Sequence, residues 1–261
     1  MAPAPAPSGV PQRIVSLIPS ITETLFALGC GDRMVGCTIF CTHPPEGVAR
    51  LTRVGGEKDP KLDVIRALAP DLVVANVEEN VREDVEAMRA WGIDVHVIYP
   101  RTVAAAIQMI RELGTRTGTA PAAAALADEL EARRAALAAA RAGRPAVRVF
   151  CPIWRRPYMT VSADTYVHDV LACCGGENVF GEASSRYPSV TLEEVAAAEP
   201  EVILLPDEPY RFRAPHLADF APFPALRDRP VHFIDGKLLS WYGPRIGEAL
   251  RVLPPLLGGA G

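Results

Sequence analysis

The stretch Leu62-Asp63-Val64-Ile65-Arg66-Ala67-Leu68-Ala69-Pro70-Asp71-Leu72-Val73-Val74 decides the fold. It opens with a helix-forming run, breaks at a Pro-acid turn and ends in a continuous apolar run of strand length. It is echoed at Leu192-Glu193-Glu194-Val195-Ala196-Ala197-Ala198-Glu199-Pro200-Glu201-Val202-Ile203-Leu204. A second pair follows the same order: Gly31-Asp32-Arg33-Met34-Val35-Gly36 is matched by Gly176-Glu177-Asn178-Val179-Phe180-Gly181. One helix–proline–strand unit can recur by chance in α/β proteins. Two echoes in the same order, on either side of a long helical segment, predict two related lobes.

Working outward, Arg13 to Ile18 reads as a first buried strand. Ser20 and Glu23 have capping-box spacing for the helix that follows, which ends near Gly29. Met34 to Thr38 reads as a strand, and residues 40–46 as a loop. Asp59 is the expected cap of a helix that starts at Pro60 and runs to Leu68. Asn80 and Glu83 again have capping-box spacing, Gly92 closes that helix, and Asp94 to Ile98 is a strand. Thr102 is the expected cap of a helix ending near Gly114. Residues 120–142 are rich in Ala, Leu, Glu and Arg, which predicts one helix about 33 Å long at ~1.5 Å per residue. Strands are then expected at 147–151, 159–161, 202–205 and 231–234, with a helix at 164–174, and Leu250 to Leu257 closes the chain. Strands alternating with helices imply parallel sheets covered by helices. The fold class is therefore α/β: two Rossmann-like lobes with parallel sheets, joined by one long rigid helix, with a ligand cleft between the lobes. The expected boundaries are an Ala/Pro-rich tail over 1–11, lobes over 12–118 and 144–261, and a linking helix over 119–143.

The composition, 49% hydrophobic and 22% charged, is that of a globular protein with a sizeable core. A formal net charge of −4 argues against a nucleic-acid partner, which needs a basic face. No apolar run reaches the ~18 residues of a membrane-spanning helix. The N-terminal MAPAPAPSGVPQ has neither a basic start nor an apolar run, so the chain as encoded is expected to stay in the cytoplasm. The six cysteines are too sparse for a disulfide scaffold and read as buried reduced thiols. A monomer is expected.

The run Arg13-Ile14-Val15-Ser16-Leu17-Ile18-Pro19-Ser20-Ile21-Thr22-Glu23, the segment Leu62 to Val74, Cys173-Cys174-Gly175-Gly176-Glu177-Asn178-Val179-Phe180 and the strand after Pro200 together resemble the cobalamin- and ferric-siderophore-binding proteins of ABC importers. The resemblance spans about residues 12–257 and is greatest to the cobalamin-binding branch. It implies an extracytoplasmic solute-binding protein that grips its ligand between two lobes and delivers it to a permease, with hinge motion limited by the helix. It also implies one docking carboxylate on each lobe, here Glu83, beside Arg82 at the aligned position, and Asp207. Asn76 stands where the resemblance leads one to expect an aromatic residue against cobalamin.

In α/β lobes ligands sit outside the carboxyl ends of the strands. The candidate ligand contacts there are Pro19, Ser20, Phe40, Cys41, His43, Asn76, Glu79, Asn80, Trp154, Arg155, Tyr158, Glu208, Tyr210, Trp241, Tyr242 and Arg245. Trp154, Tyr158, Tyr210, Trp241 and Tyr242 all fall in expected loops, where exposed rings suit a flat macrocycle. Arg155 and Arg245 suit carboxylate, phosphate or amide groups. Cys37-x3-Cys41-x-His43 offers zinc-type ligands, but no second close pair follows, so no protein-bound metal is expected. The pairs Glu78-Glu79 and Asp207-Glu208 take matching places in the two lobes and read as ligand or docking contacts. There is no G-x-G-x-x-G, Walker loop, G-x-S-x-G or H-E-x-x-H, and no nucleophile–base pair. The expectation is a binding protein rather than an enzyme, without catalytic residues or intrinsic cofactor, taking cobalamin, another corrinoid or a related metal chelate and presenting it to an ABC permease. The alternative is a cytoplasmic corrinoid- or chelate-handling protein or enzyme on the same fold.

Overall fold

The computed structural model describes residues 9–258. The first part of the expected 1–11 tail, through residue 8, lies outside the described residues. The chain divides into two compact units. One holds the chain up to Pro100, Ala104–Leu130 and Tyr242–Pro244; the other holds Arg101–Val103, Glu131–Trp241 and the chain from Arg245.

In the first unit, β1 (Ile14–Ser16), β2 (Met34–Cys37), β3 (Thr52–Arg53), β4 (Leu72–Asn76) and β5 (Asp94–Ile98) form a parallel sheet of order β3-β2-β1-β4-β5. Its helices are α1 (Pro19–Ala27), α2 (Pro45–Ala49), α3 (Leu62–Ala67), α4 (Arg82–Ala90), α5 (Val103–Thr117) and the start of α6 (Ala120–Arg141). β1 and β4 are buried along their whole length, as central strands covered on both faces must be. Val15, Leu17, Ile65, Val73, Val85 and Met88 form the centre of the core.

The second unit repeats the plan. β6 (Val147–Phe150), β8 (Gly176–Asn178), β10 (Val202–Pro206) and β11 (Val231–Ile234) form a parallel sheet of order β11-β10-β6-β8, and β7 (Tyr158–Met159) pairs antiparallel with β9 (Ser189–Val190). Its own helices are α7 (Tyr166–Cys173), α8 (Leu192–Ala197), α9 (Pro224–Arg227), α10 (Lys237–Ser240) and α11 (Arg245–Leu256). Read from the other edge, β8-β6-β10-β11 matches β2-β1-β4-β5 strand for strand. Phe150, Val195, Ile203, Leu205 and Leu226 centre this core.

The sequence echo has a physical meaning. In both copies the residue before the proline is left-handed, with φ 44° at Ala69 and 45° at Glu199. The acid after each proline accepts backbone N–H at the entry of the neighbouring strand. Asp71 takes those of Gln12 (2.7 Å) and Arg13 (2.9 Å), and Glu201 takes that of Arg148 (2.8 Å). The two arginines then donate to the carbonyl ending the preceding helix, Arg13 to Leu68 O (2.8 Å) and Arg148 to Ala198 O (2.7 Å). The second echo is only partly structural. Its strand starts at Met34 in one copy but at Gly176 in the other, three positions earlier in the motif.

Several expected helix starts are corrected. α1 begins at Pro19, so Ser20 lies inside its first turn and makes no capping box. Proline suits that first position because its fixed φ is helical and it lacks an N–H to satisfy. Asp59 does not cap α3, because Pro60 is held in a bridge with Gly55 and the helix starts at Leu62. Asn80 does not cap α4; its side chain accepts from Asn76 N (2.8 Å) and donates to Glu57 O (3.0 Å). α2 forms within the segment expected to be a loop.

Gly114 does not end α5. The helix continues to Thr117, and Gly118 (φ +66°) ends it. Gly114 instead lets α6 approach, since a Cβ there would lie 2.2 Å from the Ala123 Cβ. In an open helix Gly→Ala gains about 1 kcal/mol. Here the clash reverses the sign, and Gly114→Ala is expected to lower stability by about 1–3 kcal/mol. Adding Ala123→Gly should recover most of that loss in urea unfolding, although Ala123→Gly alone is destabilising.

Candidate functional site

In the first unit, several exposed apolar residues leave the carboxyl ends of the strands. Ile39 (56% exposed) and Phe40 (54%) follow β2, Val77 (55%) follows β4, and Tyr99 (37%) follows β5. Because these strands are parallel, the four side chains share one end of the sheet. Ile39, Val77 and Tyr99 are additions to the candidates read from sequence. A buried polar knot braces them. Asn76 Oδ1 accepts from Glu78 N (2.7 Å), and Asn76 Nδ2 donates to the buried Tyr242 hydroxyl (3.4 Å). Ser20 is buried, with its carbonyl accepting from Thr24 Oγ1 (2.8 Å). Pro19 is half-buried beside it, and half-buried His43 lies 2.9 Å from Thr42 Oγ1 through its Nδ1.

Cys41 and Cys37 are fully buried. Thr22 Oγ1 and Thr38 Oγ1 lie 3.1 and 3.2 Å from Cys41 Sγ. Arg53 Nη1 donates to Cys37 Sγ (3.0 Å) and to the Cys41 carbonyl (2.8 Å). Among the described residues no group of three or more His, Cys, Asp or Glu side chains could hold a metal ion. Arg53, on a strand the sequence reading did not anticipate, was missed.

Trp154 (44% exposed) follows β6 in the second unit and stands edge-on to Tyr210, with centroids 5.5 Å apart. Arg155, expected to face ligand, instead forms a two-pronged pair with Asp219 (2.6 and 2.8 Å). Tyr158 lies on β7 rather than in an exposed loop; its ring is buried in the core and its hydroxyl donates to Asp219 (2.8 Å). The Arg155 guanidinium, followed by the Tyr158 hydroxyl, holds the Asp219 carboxyl below the usual range. Trp241 and Tyr242, also expected to be exposed, are buried at 8% and 6%. Lys237 and Arg245 cover the Trp241 ring at 5.9 and 5.6 Å, and Arg245 also pairs with Glu248 (3.3 Å). Asp207 accepts from Gly236 N (2.8 Å). Glu208 accepts from Ser240 Oγ (3.2 Å), and burial raises its pKa against the pull of Lys237. Glu83 is exposed in the first turn of α4.

Glu57 was missed, because Gly55-Gly56 marks its segment only as a turn. Burial first, then the charges of Glu79 and Cys41, push its pKa up to about 7. Glu79 keeps solvent access at its rim, yet burial and Glu78 raise it while Lys58 opposes. The folded protein thus holds the Glu57 proton more tightly than the unfolded chain does. The linked stability is present below the ordinary value of 4.5 and is lost as pH rises to about 7. Glu57→Gln should therefore flatten the stability–pH curve in that window. It should exceed the parent by about 1–2 kcal/mol at pH ~8, a figure reduced for partial solvent access. Urea midpoints at both ends of the window check this, with Glu79 leaving a residual slope.

A family model described as "Periplasmic binding protein" matches residues 14–219. The vitamin B12-binding protein of Vibrio campbellii is 30% identical over 196 residues, covering 75% of this chain and 71% of that protein. The crystal structure of the periplasmic vitamin B12 binding protein BtuF of Vibrio cholerae superposes with a TM-score of 0.83 at 24% identity, covering 95% of this chain and 97% of that one. At that identity the likeness is one of fold. The periplasmic heme-binding protein RhuT from Roseiflexus sp. RS-1, in apo form, gives a TM-score of 0.81 at 27% identity, covering 95% and 98%. Among the described residues no helix is long and apolar enough to cross a membrane. From the extent of the family match and the identity to its curated relative, this chain belongs to the periplasmic binding protein family, a family of solute-binding proteins.

Proposed function

We propose that this protein binds cobalamin, another corrinoid or a related metal chelate outside the cytoplasm and presents it to an ABC permease. Residues 12–118 and 144–261 act as the two ligand-contacting lobes, and the helix of 119–143 connects them. The observation that carries the reading is the placement of exposed apolar side chains at strand ends. Ile39, Phe40, Val77 and Tyr99 leave one sheet, and Trp154 leaves the other. A corrin or porphyrin offers two wide apolar faces, which such side chains desolvate. The amide-bearing rim of a corrinoid both donates and accepts hydrogen bonds. Glu57, Glu79 and Glu208, held toward the protonated form, can meet it in either sense. The vitamin B12-binding and heme-binding relatives support this ligand class. No residue is assigned a catalytic role.

Titration with cyanocobalamin is expected to saturate at one per chain and to quench tryptophan fluorescence. Trp154→Ala should weaken binding by about ten- to a hundredfold, the loss of a central aromatic anchor. Haem and a ferric siderophore run beside it identify the preferred chelate. If none of the three changes the fluorescence or the melting temperature, the reading fails. Glu83 and Asp207 are the proposed docking carboxylates, one on each unit. Glu83→Arg, exposed in α4, should abolish permease-dependent uptake in cells while leaving the ligand Kd unchanged.

A further inference from the structure

The thiols of Cys37 and Cys41 share one buried pocket, separated by the turn that carries Ile39 and Phe40. Cys37 ends β2, and Cys41 N donates to Thr38 O (3.3 Å) to close the turn. Such turns bring their end Cα atoms, here those of Thr38 and Cys41, within about 7 Å, and Arg53 Nη1 keeps the Cys37 sulfur within about 6 Å of the Cys41 carbonyl oxygen. Arg53 clamps both ends through Cys37 Sγ and the Cys41 carbonyl. The two sulfurs have unequal surroundings. Cys41 Sγ faces the Thr22 and Thr38 hydroxyls, and neighbouring Cys37 followed by those hydroxyls draws its pKa down against burial. The neighbouring Cys41, with burial, pushes Cys37 up. This is the division between an attacking thiolate and a thiol that keeps its proton. Cys151, Cys173 and Cys174 do not offer it: burial raises Cys151 and Cys174 to about 12 and Cys173 to about 11.

We propose that Cys37 and Cys41 are a redox-active pair that closes to a disulfide on reaction with a small peroxide. Both side chains have no exposed surface, so the oxidant must be small. The Cys41 thiolate attacks one oxygen of hydrogen peroxide. The O–O bond breaks, Cys41 becomes a sulfenic acid, and the departing hydroxide takes a proton to give water. Cys37 sulfur then attacks the Cys41 sulfur. The S–O bond breaks, and the leaving hydroxide departs as water with the Cys37 proton. Two thiols lose two electrons and two hydrogens, and peroxide is reduced to two waters. A dithiol reductant reverses the closure.

Trypsin cuts after Arg33 and Arg50, so one peptide, Met34 to Arg50, carries both cysteines and no others. The folded, reduced protein is treated with hydrogen peroxide, quenched, denatured, alkylated and digested. The expected result is that this peptide is unalkylated and lighter by two hydrogens than its reduced form, that dithiothreitol restores alkylation, and that the other four cysteines are alkylated throughout. In Cys37→Ser the reaction should stop at a Cys41 sulfenic acid that dimedone traps. Recovery of the wild-type peptide with both cysteines alkylated would overturn the proposal, as would a disulfide involving any other cysteine or oxidation of Cys41 to the sulfinic acid without a disulfide. The wild-type measurement stands even if the variant does not fold, and it is independent of what ligand the protein binds.

Discussion

A carboxylate placed just after a proline fixes each sheet. Asp71 and Glu201 receive the backbone N–H groups at the entry of β1 and β6, and Arg13 and Arg148 cap the helices that precede those acids. The side chain after the turn thereby sets how far the first strand is drawn into the sheet. Register follows from it, Val15 beside Val73 in one unit and Val149 beside Val202 in the other. A parallel sheet offers few other local constraints, because its strands are joined by long crossovers rather than tight turns. These contacts are short and partly exposed, so each contributes modestly by itself. Their value lies in specifying which residue is the last in the strand and which is the first beyond it.

That boundary determines what reaches the carboxyl ends. A shift of one residue in β4 would exchange the faces of its side chains, taking Val73 out of its core cluster and moving Asn76 off the knot it makes with Asn80, Glu78 and Tyr242. Trp154 depends on a comparable brace. The Arg155–Asp219–Tyr158 network ties its loop to the core, while Tyr210 holds the indole from the side. The exposed rings are thus mounted on satisfied polar networks, which limit the conformational freedom of the loops that carry them.

The architecture was legible because its signals are local and repeated: a Pro-acid turn, apolar runs of strand length, an alanine-rich run for α6. Helix starts were less legible. Ser20-Glu23 and Asn80-Glu83 have the same spacing as Thr191-Glu194, yet only the last of these three closes a capping box, because Pro19 and the Asn76–Asn80 knot override the other two. For the candidate site, sequence found the segments but not their side-chain exposure. An aromatic residue in a loop reads as exposed, and Phe40 and Trp154 are, whereas Tyr158 and Tyr242 are buried beside residues distant in sequence and the buried Trp241 ring is covered by Lys237 and Arg245. Glu57 and Arg53 were missed for the same reason, since their significance arises from neighbours such as Asn80, Glu79 and Cys41 that no spacing rule connects to them.

The carboxyl-end loops also carry a conflict between stability and recognition. Burial draws Glu57, Glu79 and Glu208 toward the neutral form, and all three lie at or near strand exits. Packing could have replaced them with glutamine at little steric difference, removing the penalty of desolvating an ionised group. Glutamine, however, has a fixed set of donors and acceptors. A carboxyl, unlike an amide, can donate when protonated and accept in either form, which suits a ligand whose rim mixes amide N–H and C=O groups. Each unit keeps at least one such group at the same end of its sheet, so the feature follows the repeated architecture rather than an accident of one loop. The energetic penalty falls on the folded state, and in the proposed reading the adaptable hydrogen bonding serves the ligand-bound one.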